Sequence, residues 1–406
     1  MPGVTKRIYE HDLRDIQDMI SDIINNIKDI LLPNYNMQDI IYWIKMYYPH
    51  EWESITYKKQ YYDSKDKYLR KHFGRARYNM QSPERILQSN RIYKKITEIG
   101  YVEKYSASYV DVEVKQKTEI LEKKRKKKIE RIDKKIESAK AKTQQVTPDF
   151  LEQLIGLYNR QNTSQMDRMY IIIELQKYYN PRIINFFFKL NDTELNKQLR
   201  EIAFKHLQSF NYQPRLRRQK YMQIHTKKKN RKEYLRKVYP FERYNVPKNP
   251  HELEYRINNS KEQTIKSFDY FISHSSKDRD AVQRLINNQN ENGNNIFCDW
   301  INDVDYLKRH LLCDATLSIL ECRMKQSKAM IFVISDNSIN SVWCKYELNY
   351  FAELKRPIYC INKDDIELGI FNISELVDKW YIDKEYRKLA LLESKNIMPK
   401  QEGSPN

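Results

Sequence analysis

Short apolar runs that break into polar turns and then into helical patterns constrain the fold most, and they occupy residues 267–362. The run 268–273 predicts a buried strand that enters a Ser/His/Lys/Asp turn, and a helix is expected from about Asp278. A second apolar run, 329–335, ends in Asp336-Asn-Ser338. Alternating strands and helices are typical of a parallel sheet, whose ligands gather where the strands end. The sequence therefore predicts a C-terminal α/β domain with a site at these polar turns.

This α/β domain is predicted to contain five strands and four helices. The strands are predicted at 268–273, 295–299, 329–335, 357–361 and 378–382. The helices are predicted at 278–290, 311–326, 341–355 and 384–394. Right-handed crossovers between parallel strands place helices on both faces, which gives a flavodoxin-like, five-stranded parallel sheet.

The residues before 267 are predicted to be mainly α-helical. Between residues 9 and 32, six aliphatic side chains recur at spacings of three and four, and Pro33 ends this heptad seam. The seam favours a helix packed on its own domain, with a dimeric coiled coil as the alternative. We predict a basic helical domain at 1–112, a charged helix or linker at 113–147, a second helical lobe with a basic tail at 148–250, a linker at 251–266 and the α/β domain at 267–406.

The formal charge of +19 is distributed unevenly along the chain. From Ser267 onward there are 18 Lys and Arg against 21 Asp and Glu, which leaves 55 against 33 upstream. Within 57–78, aromatic side chains alternate with cations, a pattern that can stack bases and neutralise phosphates or can fill a core beneath a wet face. A nucleic acid, or a partner that carries one, is therefore one candidate for the N-terminal region, and a solvated basic surface is the other.

The cysteines and the apolar runs indicate which cellular compartment to expect for the protein. All five cysteines lie after residue 297 at spacings that fit no metal-ligand pattern, so we interpret them as reduced thiols of a cytoplasmic protein. The longest apolar runs are under ten residues, and no membrane partner is expected. The chain has no Walker-type or Gly-x-Gly-x-x-Gly loop, which argues against ordinary nucleotide hydrolases and dehydrogenases. We expect neither a metal nor a cofactor.

Four motifs stand in a fixed order over about a quarter of the chain. They are Phe271-Ile-Ser-His-Ser-Ser-Lys-Asp278, Phe297-Cys-Asp-Trp300, Ile331-Phe-Val-Ile-Ser335 and Ser341-x-Trp-Cys-x-x-Glu347-Leu. In this order they resemble a Toll/interleukin receptor (TIR) domain, of the prokaryotic immune type that follows an N-terminal helical region. The resemblance implies the same flavodoxin-like fold.

One carboxylate, several hydroxyls and an indole at strand ends suit a reaction that passes through an oxocarbenium-like centre. Cleavage of the nicotinamide–ribose bond of NAD⁺ needs a negative charge near the developing cation but no general acid, because the leaving group is already a pyridinium. The resemblance implies that Glu347 is this catalytic carboxylate, as in enzymatic TIR domains. It therefore implies an NAD⁺ glycohydrolase, with a cyclase that makes a cyclic ADP-ribose signal, or a non-enzymatic TIR–TIR adaptor, as alternatives.

Substrate contacts are expected from the loops around Glu347. Trp300 could stack on nicotinamide or adenine, and Lys308 or Arg309 could meet the pyrophosphate. His274 is tempting as an acid or base, but a contact or a satisfied turn residue is the expected role. The remaining candidates are hydroxyl and carboxylate side chains on the first loop and opposite it: Ser273, Ser275, Asp278, Ser335 and Ser341.

The resemblance also implies how the enzyme would be controlled. Prokaryotic TIR proteins commonly act in antiphage defence, so we expect an effector activated by clustering, as a homo-oligomer formed through the TIR domain and the N-terminal helices. The loop 299–309 contains no glycine, whereas many TIR domains carry one there. This loop usually governs assembly and covers the substrate, so the departure leaves the mode of assembly open.

Overall fold

The computed structural model describes residues 4–212, 224, 226–308, 311–382 and 385–397. Two compact units are present: Met1–Ala139 with Phe187–Glu242, and Lys140–Phe186 with Arg243–Asn406. The predicted second lobe, 148–250, is divided between the two units: residues 148–186 group with the C-terminal α/β region, and residues 187–242 group with the N-terminal helices. Residues 140–147, predicted in the charged helix or linker, also group with the C-terminal α/β region.

The first unit is built from helices. The predicted helix at 9–32 is α1 followed by a short 3-10 turn, and its seam residues Ile16, Ile20, Ile23 and Ile27 are buried within this unit. This burial favours a helix packed on its own domain over a dimeric seam. The helices are α1 (Val4–Ile27), α2 (Met37–Tyr47), α3 (Pro49–Phe73), α4 (Pro83–Ser89), α5 (Arg91–Ile96), α6 (Ile99–Ala107) and α7 (Asp111–Lys140), with α11 (Lys197–Ser209) and α12 (Lys229–Lys237) contributed later in the chain.

Most of the aromatic side chains between residues 57 and 78 belong to the core of this unit. Tyr61, Tyr62 and Tyr78 are buried, and the Lys65 ammonium lies 4.0 Å from the centre of the Tyr61 ring. Tyr68, in contrast, is 58% exposed. Since buried rings cannot stack on bases, the alternation of aromatics and cations here reflects mainly a core under a cationic surface.

The second unit contains one five-stranded sheet in the order β2-β1-β3-β4-β5. The pairings β1–β2, β1–β3 and β3–β4 are parallel, so the predicted α/β fold class is confirmed as a mostly parallel sheet. The strands are β1 (Phe268–Ser273), β2 (Ile296–Phe297), β3 (Ser327–Ile334), β4 (Ile358–Asn362) and β5 (Ser374–Glu375).

Helices cover both faces of this sheet, which is why its strands are apolar along nearly their whole length. Phe271, Met330 and Phe332 face one core, and their neighbours Ile272, Ile331 and Val333 face the other. The helices of this part are α15 (Arg279–Glu291), α16 (Asp299–Asn302), α17 (Asp314–Lys325), α18 (Asp336–Ile339), α19 (Val342–Glu353), α20 (Lys363–Glu367) and α21 (Tyr386–Ile397).

The fifth strand lies elsewhere than predicted and runs antiparallel. Only Ser374 and Glu375 pair with β4, whereas the strand was expected at 378–382. The aromatic residues of that segment are used for packing instead. Tyr381 is buried in the core, and the Trp380 ring lies 6.0 Å from that of Phe332. The apolar character of Tyr381 therefore signalled burial rather than strand pairing, whereas Trp380 stays 41% exposed.

Helices from outside the predicted α/β domain pack on this sheet within the second unit. The Phe150 ring contacts that of Phe268 on β1, with centroids 6.3 Å apart, and the Tyr178 hydroxyl donates to Asn295 before β2 at 3.3 Å. These accessory helices are α8 (Phe150–Asn159), α9 (Gln165–Leu175), α13 (Pro250–Asn259) and α14 (Lys261–Thr264), while α10 (Pro181–Thr193) spans the boundary between the units.

Across the described residues, every helix is too short or too polar to span a lipid bilayer.

Candidate active site

A cleft of about 490 Å³ opens at the carboxyl ends of β1 and β2. Its base is formed by the ends of these strands, and its walls come from the loop after β1, the loop after β2, and helices α17 and α19. This is the edge of a parallel sheet where ligands are expected to bind. The residues that line it include Ser275, Lys277, Arg279, Asp299, Trp300, Leu307, Leu312, Leu320, Ser341, Trp343 and Glu347.

Glu347 lies on the second turn of α19 and reaches the end of β1. The Ser341 hydroxyl caps this helix by accepting a hydrogen bond from the Cys344 N–H at 3.3 Å. The Ser273 hydroxyl, at the last residue of β1, donates to Glu347 Oε2 at 2.6 Å. Only 9% of Glu347 is exposed. The structure thus brings together two residues that are 74 positions apart and that the sequence placed in one cleft.

Burial raises the pKa of the Glu347 carboxyl to about 8. The negative charge of Asp299 raises it further, whereas the hydrogen bond from Ser273 acts in the opposite direction. Burial thus favours the protonated form of this carboxyl. A cation that entered the cleft would stabilise the carboxylate and draw the proton off.

His274 is fully engaged in hydrogen bonds. The Trp300 indole Nε1–H donates to His274 Nε2 at 3.0 Å, and His274 Nδ1 lies 3.3 Å from the Ile272 carbonyl oxygen. These two contacts assign the donor role to Nδ1 and the acceptor role to Nε2. His274 therefore orients Trp300 and leaves no ring nitrogen for acid or base chemistry in this arrangement.

Trp300 is held on two sides. Besides its bond to His274, its ring carries the Arg279 guanidinium at 4.5 Å from the ring centre. The ring is half-buried: one part packs against the core beneath the sheet, and the rest lines the cleft. Trp300 thus supplies both a core contact and a flat surface beside Glu347.

Asp278 and Ser335 bond to each other and are not among the residues that line the cleft. The Ser335 hydroxyl donates to Asp278 Oδ2 at 2.5 Å, and the Asn337 amide donates to Asp278 Oδ1 at 2.9 Å. Asp278 is 2% exposed. The pair therefore ties the loop after β1 to the end of β3, a structural contact in place of the substrate contact that the sequence suggested.

Neither cation predicted to meet a pyrophosphate is among the described residues that line the cleft. Lys308 is exposed and does not line it, and Arg309 lies outside the described residues. Two other cations, Lys277 and Arg279, are exposed at its rim.

Sequence reasoning missed several residues of the site. Asp299 directly follows the second strand and influences Glu347, a placement that the Phe-Cys-Asp-Trp motif could have signalled. Trp343 both packs against the core and lines the cleft. The apolar wall of Leu307, Leu312 and Leu320 had no motif of its own.

His274, Cys298 and Asp299 also converge, with potential metal-binding atoms within 4.8 Å of one another. Cys298 Sγ lies 3.9 Å from Asp299 Oδ1, and burial raises the pKa of its thiol well above the ordinary value. Each of the three atoms has a polar neighbour of its own. We therefore describe the group as part of the hydrogen-bonded wall of the cleft.

The fold and the site define a class: doubly wound α/β domains with a buried carboxylate in a cleft at the strand ends. The chain belongs to the family of TIR-domain proteins. Residues 271–388 match the family model described as TIR domain. In addition, 34% of 373 aligned residues are identical to "Putative cyclic ADP-D-ribose synthase TIR2" of Cytobacillus dafuensis, over 92% of this chain and 95% of that protein. The resemblance seen in the four motifs is thus confirmed.

Two further relatives match only the TIR region. "Probable 3' cyclic ADP-D-ribose synthase ThsB'" of Bacillus cereus (strain MSX-D12) is 35% identical over 124 residues, which cover 30% of this chain and 62% of that protein. Human "Toll-like receptor 2" is 31% identical over 122 residues, which cover 30% of this chain and 14% of the receptor. No solved structure matched the chain significantly.

Proposed function

We propose that this protein is an enzyme that cleaves the nicotinamide–ribose bond of NAD⁺ and closes the released ADP-ribose into a cyclic product. The observation that carries the proposal is the buried Glu347 carboxyl, bonded to Ser273 in a cleft at the strand ends. The relative that aligns over 95% of its length is named as a putative cyclic ADP-D-ribose synthase, which supports cyclisation. Hydrolysis to linear ADP-ribose, the first expectation from the sequence, is the second candidate.

Breaking the C1″–N1 bond sends its electron pair to the pyridinium nitrogen, which leaves as neutral nicotinamide. Positive charge then develops on the ribose, and a carboxylate beside it stabilises the transition state. The approach of the cationic pyridinium would lower the raised pKa of Glu347, so that substrate binding itself ionises the catalytic group. Trp300 offers a stacking surface, and Arg279 replaces Lys308 as the proposed partner of the pyrophosphate.

The walls of the cleft bear on which nucleophile captures the ribosyl cation. Leu307, Leu312 and Leu320 form an apolar side that disfavours bound water, and cyclisation requires an internal hydroxyl to arrive before water. Ser276, Lys277 and Arg279 are exposed at the rim, so the cleft also opens to solvent. This opening is the observation that keeps hydrolysis as the second candidate.

The proposal is tested by incubating concentrated protein with NAD⁺ and separating the products by chromatography with mass detection. Free nicotinamide in equal amount with a cyclic ADP-ribose is the expected result. Linear ADP-ribose with nicotinamide would replace cyclisation by hydrolysis. If no nicotinamide appears, even with a crowding agent or with added DNA or RNA, the enzyme proposal is wrong. A non-enzymatic TIR–TIR adaptor is then the better interpretation.

Ser273→Ala is expected to shift the pH dependence of activity toward higher pH. The wild-type kcat/KM should rise through about pH 8, where Glu347 ionises in the free enzyme. Removing the Ser273 hydroxyl removes the hydrogen bond that favours the carboxylate, so the rising limb moves up while the alkaline plateau is largely kept. A pH profile of kcat/KM measures this.

Ser275→Ala is the matched control, because Ser275 lines the same cleft but its hydroxyl accepts from the Lys277 N–H instead. The rising limb of its kcat/KM pH profile should coincide with that of the wild type. An unshifted limb in Ser273→Ala would mean that the Ser273 bond does not set the ionisation that activity reports.

We also propose that the protein is an effector of prokaryotic antiphage defence, switched on when copies cluster through the TIR domain and the N-terminal helices. Helix α7 is the clearest candidate contact for a polyanionic trigger. It carries ten Lys and two Arg against seven Asp and Glu, and its buried residues are Val114, Leu121 and Arg125. The other faces of this 30-residue helix are therefore largely available to solvent.

If α7 binds nucleic acid, affinity should fall steeply as salt rises, because neutralised phosphates release counterions. Replacing four of its lysines by Gln should weaken binding at low salt and reduce the salt slope by roughly 3 to 4. The lysines are Lys123, Lys124, Lys126 and Lys127. Fluorescence anisotropy with labelled duplex at several salt concentrations measures both quantities.

The control replaces four lysines of the C-terminal region, Lys325, Lys328, Lys355 and Lys388, and should leave the slope unchanged. If the wild type does not bind the duplex at low salt, the basic surface is a solvated face and not a nucleic-acid contact.

A further inference from the structure

We propose that Gln144 and Lys177, which lie outside the matched TIR region, are positioning residues that fix the cleft wall formed by residues 298–307. This wall carries Asp299, Trp300 and Leu307. The inference rests on the proposed function, since it assigns these two residues a part in the same site. It is carried by contacts within the second compact unit.

Gln144 bonds to β2 just before the wall and to the end of the wall's first turn. Its side-chain amide donates to the Ile296 carbonyl oxygen and to Asn302 Oδ1, the latter at 3.2 Å. Its side-chain oxygen accepts from the Ile296 N–H at 2.9 Å. Asn302 Oδ1 in turn accepts from the Cys298 N–H at 2.9 Å. One fully buried side chain thus pairs with edge strand β2 as a further strand would, and it braces the short helix α16.

Lys177 approaches the wall just beyond α16. Its ammonium lies 3.5 Å from Asp303 Oδ1 and 2.9 Å from Glu174 Oε2. Arg323 bonds the same Asp303 carboxylate through Nε at 2.8 Å. Asp303 and Arg323 are both fully buried, so these polar groups satisfy one another where water does not reach.

An apolar contact also attaches the wall to neighbouring helices. Tyr306 is 2% exposed and packs with Leu253 and Ile257 of α13 and Ile319 of α17. Leu307, the next residue, packs against the same cluster and lines the cleft. Gln144 and Lys177, in the segments before α8 and after α9, therefore touch the wall near its start, and α13 touches it near its far end.

The wall cannot hold this conformation by itself. Helix α16 has four residues, too few for an isolated helix to be stable in water. Displacing Gln144 would leave the buried Ile296 N–H without its partner, which is costly in a low-dielectric interior. The positions of Trp300 and Asp299 relative to Glu347 therefore depend on the accessory segment 140–186 in addition to the contacts within the TIR region, and a rearrangement of that segment would reach the cleft.

The test uses the full-length chain with Gln144→Leu and Lys177→Met, which keep approximate side-chain volume and remove the polar contacts. Amide hydrogen exchange read by mass spectrometry should increase at least 10-fold in peptides covering 298–307, with α19 unchanged. With NAD⁺, KM should rise about 10-fold while kcat falls less. Lys177→Arg, which keeps the cation near Asp303, should restore both quantities.

Exchange unchanged in 298–307, or raised equally across the unit, would overturn the inference. Should Gln144→Leu fail to fold, Lys177→Met and its Arg counterpart decide the question alone, because Lys177 keeps 12% side-chain exposure. The exchange measurement needs no turnover. If the wild type releases no nicotinamide, the proposed function fails while the exchange result still supports or rejects the positioning.

Discussion

Glu347→Gln is expected to reduce nicotinamide release from NAD⁺ by about 10²–10³-fold, comparable to removal of one preorganised charge-stabilising group. Glutamine has nearly the same shape and can still accept the hydrogen bond from Ser273. It cannot become negative, so it offers no charge to the ribosyl cation. Measurement of kcat and kcat/KM by nicotinamide release should show a loss in kcat that raising the substrate concentration does not repair.

Glu393→Gln is the matched control, because Glu393 is an exposed glutamate that lines the same cleft from α21. A general loss of negative potential would affect both variants, whereas a specific role for Glu347 leaves Glu393→Gln within about threefold of the wild type, or less than 1 kcal/mol. Comparable activity in Glu347→Gln and the wild type would remove Glu347 from the mechanism.

The same substitution should change stability in the opposite sense from activity. The pKa of Glu347 is raised from 4.5 to about 8 in the folded state, so folding favours the protonated carboxyl. That stabilisation is fully present below pH 4.5 and is lost as the pH rises through about 8. Glutamine does not titrate, so Glu347→Gln should gain thermal stability relative to the wild type as the pH rises toward 9. A more stable but inactive variant would exclude misfolding as the cause of lost activity.

The position of Glu347 could be predicted from the sequence because two strong signals converge on it. The apolar runs that became β1 and β3 are continuous, since helices cover both faces of the sheet, and their ends meet at one edge. The Ser341 cap then starts α19 and brings Glu347 toward Ser273. The strand ends and the helix start thus place this pair at one edge of the sheet, and the resemblance to TIR domains singles out Glu347 as the carboxylate.

Other features left no comparable signal. Ser335 follows β3 and Asp278 closes the loop after β1, as predicted, yet spacing cannot tell whether such side chains face a cleft or each other, and here they bond together. The attachment of the accessory helices was also missed. Gln144 lies 152 positions from Ile296, and a single buried amide produces no periodic pattern in the sequence.

Asp303→Asn is expected to destabilise the protein by about 3–5 kcal/mol, the usual cost of removing one partner of a buried ion pair. Burial alone would raise the pKa of Asp303, but Arg323, Lys177 and Lys266 hold it below its ordinary value, so the group is a carboxylate. Without that charge, Lys177, Lys266 and Arg323 would face the carboxylate of Glu174 alone. Chemical denaturation followed by circular dichroism would measure the loss.

Glu152→Gln is the comparison on the surface of the same unit. Its ion pair with Arg182 has side-chain exposures of 59% and 53%, so its loss should cost less than about 1 kcal/mol. Combining Asp303→Asn with Arg323→Met removes the uncompensated cation, and the two changes together should cost about 1–3 kcal/mol less than the sum of the single variants. Simple additivity would mean that Asp303 and Arg323 do not stabilise each other. If this double variant regains stability while amide exchange in 298–307 stays raised, then the stability that the Asp303–Arg323 pair provides is separate from the positioning of the wall.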